Sequence, residues 1–151
     1  MYLLHHLFEE LGIAESQDVA TQLLEAFNSA DWERFRGLLG PDAVYQETGT
    51  GRRVTGEGYV ELCQGWRETF PDCVGEVRTT IAQGNQVAQQ VHWTGTHQGV
   101  LRGPNLELPA TGKSVEVDAT LWTRVENGKV VEQHHHLDVL TMLGQIGALP
   151  S

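Results

Sequence analysis

Apolar positions change their period partway along the chain. Up to about residue 70 they recur every three or four residues, the spacing of an amphipathic helix. Leu3, Leu4, Leu7, Phe8 and Leu11 make one such stripe, closed by Gly12. Val19, Leu23, Leu24 and Phe27 make a second, with Ser16 or Asp18 as cap. Trp32, Phe35, Leu38 and Leu39 make a third behind Asp31, ended by Gly40-Pro41. Tyr59, Val60, Leu62, Cys63 and Trp66 predict a helix from Glu57 to Thr69, closed at Pro71. Between these lie a short strand, "DAVYQE", and a brief one over Arg52 to Val54.

Downstream the period falls to two. Strands are predicted over Val74–Ala82, Val87–His97, Ser114–Val125 and Lys129–Asp138. A Gly/Pro-bearing loop spans Gly99 to Gly112, and a short helix, Val139 to Ile146, ends at Gly147. Helices first and a meander of strands after predict an α+β fold with the helices on one face of the sheet. One domain accounts for all 151 residues, with residues 1–14 as an added N-terminal helix.

Asn127-Gly128 marks a tight hairpin between the last two strands. Counting out from a two-residue turn pairs Glu126 with Lys129, Thr123 with Glu132, Leu121 with His134, and Ala119 with His136. Side chains alternate faces along a strand. The count therefore places Glu132, His134, His136 and Asp138 on the face of Val117, Ala119 and Leu121. It turns His135 and Leu137 outward with Thr120 and Trp122. Four ionisable groups in an apolar wall need compensation. They can pair with one another, line a wet cavity, or hold a metal with His134, His136 and Asp138 as a facial set. A solvent-exposed or dimer-buried polar face is the competing reading. On the strand "HWTGTHQG", His97 ends the face that carries Trp93, where it can reach the mouth of a cavity or serve only as a strand-end residue that bonds backbone. On the first strand Tyr45 and Glu47 share one side and Val44 and Gln46 the other, and either pair can add a polar group to such a cavity.

Charge narrows the partners. Ten basic against twenty acidic residues give a net charge of −10, the wrong sign for nucleic acid or an anionic membrane. No window approaches the roughly 20 apolar residues of a membrane span, and "MYLLHHLFEELG" lacks the basic start of a signal peptide. A cytoplasmic location is expected. Cys63 and Cys73 fit no CxxC pattern and are expected as buried thiols.

Several stretches in order resemble the SnoaL-like polyketide cyclases of the NTF2-like superfamily. They are "FNSADWERFRGLLGPDAVY", "GEGY" before a helix ending in "FPD", "WTGTHQG", "PATGKSV", "RVENGKVVEQ" leading to Asp138, and "MLGQIGALP". The resemblance implies a cone-shaped α+β barrel, a curved mixed sheet wrapped around the helices and a deep apolar pocket. It implies proton abstraction beside a carbonyl and aldol-type ring closure of a small hydrophobic molecule, with no cofactor or metal. Asp138 matches the family's late aspartate and is the expected general base. His136 is expected to share its proton, and His97 to orient a carbonyl. His134, Trp93, Trp66, Leu121, Ala119 and Tyr45 are the expected substrate contacts. The triple histidine departs from the bulky residues of many relatives. An epoxide hydrolase or ketosteroid isomerase-like enzyme is the close rival; the epoxide hydrolase needs an Asp-Arg-Asp set around a water, and Arg124 and Asp118 fall by the hairpin count on the face opposite Asp138. The alternative outside enzymes is a ligand-binding or dimerisation module, with a homodimer through Trp122, Thr120, His135 and Leu137.

Overall fold

The structure, a computed structural model, describes residues 2–149. Its helices are α1 (Tyr2–Asn28), α2 (Trp32–Leu38), α3 (Glu57–Thr69) and α4 (Val139–Gln145). Its strands are β1 (Leu39–Thr48), β2 (Arg52–Thr55), β3 (Val74–Gln83), β4 (Gln86–Thr96), β5 (Leu101–Gly103), β6 (Leu106–Leu108), β7 (Ser114–Glu126) and β8 (Lys129–Leu137). Six strands form one mixed sheet in the order β2-β1-β8-β7-β4-β3, in which only β1 and β8 run parallel. The expected α+β class and curved mixed sheet are present. The expected barrel is not closed, because β2 and β3 remain free edges. The core lies between the inner face of this sheet and α1, α2 and α3, with Leu23, Phe27, Phe35, Tyr59, Val60, Val117 and Val130 all buried.

Two expected helices are one. Gly12 continues α1 instead of ending it, and Ser16 donates its hydroxyl back to Gly12 O (2.9 Å) instead of capping a new start. Glycine stops a helix when it takes a left-handed turn, and Gly12 is not among the residues with positive φ. The helix is buried only from Ser16 onward. Asp31 does cap α2, accepting from Arg34 N (3.1 Å). Leu39, expected on that helix, instead opens β1, and Gly40-Pro41 lies within the strand. The long loop after β4 contains the small β5–β6 hairpin, which its short strands and Gly/Pro content conceal.

The tight hairpin forms as expected, with Asn127 and Gly128 both at positive φ (52° and 71°). Its register does not persist. Val125 pairs with Val130, but the next pair is Arg124 with Glu132, which leaves Val131 as a bulge. One extra residue reverses every later facing. His135 now sits beside Leu121, His134 beside Trp122 and His136 beside Thr120.

Candidate active site

The reversal changes which histidine enters the core. Gln133 and His135 are buried on the inner face and Leu137 lines the cavity there. His134 and His136 turn to the outer face, contrary to the hairpin count. His134 bonds Glu132 (2.6 Å) and stands edge-on to Trp122 (5.1 Å), and His136 is exposed. Asp138 is exposed too. It caps α4, with Oδ1 accepting from Thr141 N (3.1 Å) and Oδ2 from Thr141 Oγ1 (2.7 Å). Those bonds hold its carboxyl below the usual range. The facial set of His134, His136 and Asp138 therefore does not converge inward. Among the described residues no three His, Cys, Asp or Glu side chains group as metal ligands. The outer patch expected at a dimer contact loses His135 and Leu137 and keeps Thr120 and Trp122.

Between the sheet and the helices lies a cavity of ≈ 90 Å³. Its walls include Phe27, Phe35, Trp66, Phe70, Trp93 and Leu121, of which Trp66, Trp93 and Leu121 are expected contacts. Tyr45, another, also lines it. Ala119 is buried on the same face, but it is not part of the cavity wall. His97 is fully buried with its ring 5.6 Å from Phe70, not in the wall. Its Nδ1 accepts from Thr111 N (3.3 Å), and its Nε2 has no partner. Burial lowers its pKa.

One polar chain enters this apolar space. Parallel pairing of β1 with β8 sets Glu47 beside His135 and Tyr45 beside Gln133. Glu47 is fully buried and accepts five hydrogen bonds. Oε1 takes Arg52 Nη2 (2.7 Å), Arg52 Nε (3.1 Å) and Thr50 Oγ1 (2.7 Å). Oε2 takes Trp66 Nε1 (2.7 Å) and Tyr45 Oη (2.8 Å). Burial pushes this carboxyl up, but the Arg52 guanidinium and the donors outweigh it and the net shift is downward. Glu47 is an anion inside the protein.

The hydrogen-bond inventory then fixes a tautomer. Tyr45 has one hydroxyl proton, and it goes to Glu47. His135 Nδ1 lies 2.8 Å from the same Tyr45 oxygen. With the tyrosine proton already committed, Nδ1 must carry the proton and donate it. His135 Nε2 is left with a lone pair, which receives Trp93 Nε1–H at 3.3 Å, a long bond. Burial pushes the imidazole pKa down to about 4, with Glu47 pulling partly the other way. At neutral pH His135 is uncharged, held by Tyr45, Glu47 and Arg52. Below it, Gln133 is fixed at both ends: Tyr59 donates to its Oε1, and its Nε2 donates to Thr123 (3.0 Å).

In the sequence Glu47 is one of several polar groups on the first strand able to reach the cavity, with no role of its own, and nothing marks out Arg52. The alternation in "DAVYQE" set Glu47 beside Tyr45, but nothing local shows that a cation five residues on would permit a buried carboxylate.

A curved, unclosed mixed sheet with N-terminal helices packed over it is the NTF2-like fold. A sequence model of the SnoaL-like polyketide cyclase family matches residues 17–146, and the chain belongs to that family. Among solved structures, it is similar to IdmH of Streptomyces antibioticus, provisionally assigned as a polyketide cyclase. The two are 34% identical over 87% of this chain and 98% of IdmH, with a TM-score of 0.76. It is also similar to AclR of Streptomyces galilaeus, provisionally assigned as a hydroxylase. That identity is 28%, over 92% of this chain and 85% of AclR, with a TM-score of 0.78. A provisionally assigned ketosteroid isomerase of Kribbella flavida shares the fold at 20% identity and a TM-score of 0.63, over 83% of this chain and 78% of its own. No curated protein matches the chain. Among the described residues no helix is long and apolar enough to cross a membrane.

Proposed function

We propose that the protein enolises a small hydrophobic carbonyl compound and closes a ring on it, with His135 as the general base. The supporting observation is a neutral, tautomer-locked histidine in the wall of an apolar cavity, with its Nε2 unprotonated and held only by a long bond from Trp93. The α-proton passes to Nε2 while the C–H electron pair forms the enolate and the carbonyl π pair moves to oxygen. Trp93 Nε1–H, only loosely held by His135, turns to that oxygen as donor. The enolate carbon then attacks a second carbonyl of the same molecule. The new C–C bond sends that π pair to oxygen, which takes the proton back from Nε2. Glu47, acting through Tyr45, stabilises the imidazolium formed between the two transfers.

A base whose pKa is about 4 is weak. The reading therefore favours carbon acids activated by two carbonyls, and the wall excludes strongly charged molecules. The membership of the family and the provisional assignment of IdmH support cyclisation as the outcome.

Deuterium exchange into ethyl 2-methylacetoacetate, followed by NMR in D2O, tests the base. The wild type should accelerate exchange. His135→Gln, which keeps a donor for Tyr45, should lower the rate by roughly 10²-fold or more. Asp138→Asn, which retains a good N-cap residue, should stay within a few-fold. Acceleration that survives in His135→Gln removes the assignment. No acceleration by the wild type points instead to ligand binding without catalysis.

A further inference from the structure

The first ten described residues of α1 form an amphipathic arm that the domain does not use. Leu3, Leu4, Leu7, Phe8 and Leu11 are 83%, 59%, 49%, 64% and 57% exposed. At 3.6 residues per turn they share an arc of about 140°. Burial of α1 begins only at Ser16, so about half or more of each of these side chains is left uncovered by its own chain. The flanks carry His5 paired with Glu9 (3.2 Å) and His6 paired with Glu10 (3.1 Å). A contiguous apolar stripe of this kind marks an interaction surface.

We infer that this arm is a self-association surface, on which the same segment of a second copy of this chain packs antiparallel. Two features select that occupant. The stripe is self-complementary about a two-fold axis between Leu7 and Phe8. Leu4 then meets the partner's Leu11, and Leu7 meets the partner's Phe8, so both ends of the stripe are filled. The polar flank agrees as well. His6 and Glu10 lie on one flank in the order histidine then glutamate. Reversing the second helix about that axis sets this flank against its own copy and brings each His6 within one residue of the level of the partner's Glu10, whereas parallel packing turns the flank away from its own copy. Five side chains burying roughly 100 Å² each give roughly 1,000 Å² over both copies, the lower edge of specific interfaces. The dimer is therefore weak and concentration-dependent. A neutral or acidic lipid surface is the less suitable occupant, since the polar flanks carry Glu9 and Glu10 and no Lys or Arg.

Sedimentation equilibrium on the full chain, with pairwise cross-linking, tests this. The wild type should show a monomer–dimer equilibrium in the micromolar range or weaker. Leu7→Glu combined with Phe8→Glu should raise the dissociation constant at least tenfold and leave the far-UV spectrum and thermal midpoint of the domain intact. Mixed under oxidising conditions, a Leu4→Cys chain and a Leu11→Cys chain should cross-link to each other more than to themselves; the native Cys63 and Cys73 are buried. Four outcomes overturn the proposal. They are a chain that stays monomeric to several hundred micromolar, a dimer that the double variant leaves unchanged, preference for Leu4–Leu4 or Leu11–Leu11 links, and a monomer that instead pellets with phosphatidylcholine vesicles in a manner the double variant abolishes.

Discussion

Glu47 shows how a single side chain can govern a site on the neighbouring strand. Its carboxylate sits where an isolated charge would be expelled, and Arg52 on the neighbouring strand makes it tolerable. The Arg52 side chain is 26% exposed and stacks over Trp66 at 5.3 Å. Replacing it by Met keeps much of that packing and removes the cation. Because Arg52 is partly in water, the cost is discounted to about 2 kcal/mol. Urea unfolding of Arg52→Met near pH 7 should show this loss. The deficit should shrink in acid. A carboxyl whose folded pKa is depressed contributes stability above its unfolded pKa and loses it as pH falls through the folded value. The variant has less of that contribution to lose. A loss that is equal at pH 7 and pH 4 would mean that Arg52 acts by packing alone.

Two strands and one bulge decide which side chains reach the cavity. Val131 has no sequence mark of a bulge, being neither glycine nor a turn former. Counting from the Asn127-Gly128 turn therefore gave the right faces for β7 and the wrong ones for β8 beyond Val130. An energetic clue was present all the same. The straight register puts Glu132, His134, His136 and Asp138 in the wall, whereas the bulged one puts Gln133, His135 and Leu137 there, a less costly set to bury. The long strands and most helices were legible, since the periods of three to four and of two residues survive tertiary packing, whereas the short β5–β6 hairpin and the continuity of α1 through Gly12 were not. Pairing details were not, because one unpaired residue is invisible to a period. The partnership of Glu47 with His135 was illegible for a related reason, as it depends on a parallel β1–β8 contact across some ninety residues. A second element-level constraint lies at the start of β3. Asn28, ending α1, bonds both the N–H and the C=O of Gly75 (2.9 Å each). A Cβ on Gly75 would come within 2.8 Å of the Trp93 ring. Gly75→Ala should cost roughly 1–3 kcal/mol in thermal unfolding and shift the tryptophan emission, because Trp93 must move. An unchanged midpoint and emission would show that the ring is loosely held.

For the whole molecule, the buried histidine sets the acid limit of stability. The folded His135 binds its proton only near pH 4, while in the unfolded chain it does so near 6.5. The unfolded state therefore binds the proton first as pH falls. Stability from this group is complete above about pH 6.5 and is lost between there and about pH 4, by about 3 kcal/mol in all. The lowered pKa of His97 adds loss in the same direction. His92 acts oppositely: its bonds to Asp118 and Glu116 raise its pKa, so its contribution is present in acid and fades as pH rises. It lies at the surface, where such pairs are weak. Unfolding free energy measured from pH 7.5 to 4.5 should fall, and His135→Gln should flatten that slope.

At the centre of the site stands a neutral His135 that keeps its proton on Nδ1 and leaves Nε2 unprotonated in the cavity wall, held only by the long bond from Trp93. Two-dimensional ¹H–¹⁵N NMR of the imidazole nitrogens, titrated from pH 7.5 downward, reads tautomer and pKa together. The account predicts an Nδ1–H tautomer for His135 at neutral pH and no protonation until the pH approaches about 4. An Nε2–H tautomer, or a titration midpoint near the ordinary histidine value, would contradict it.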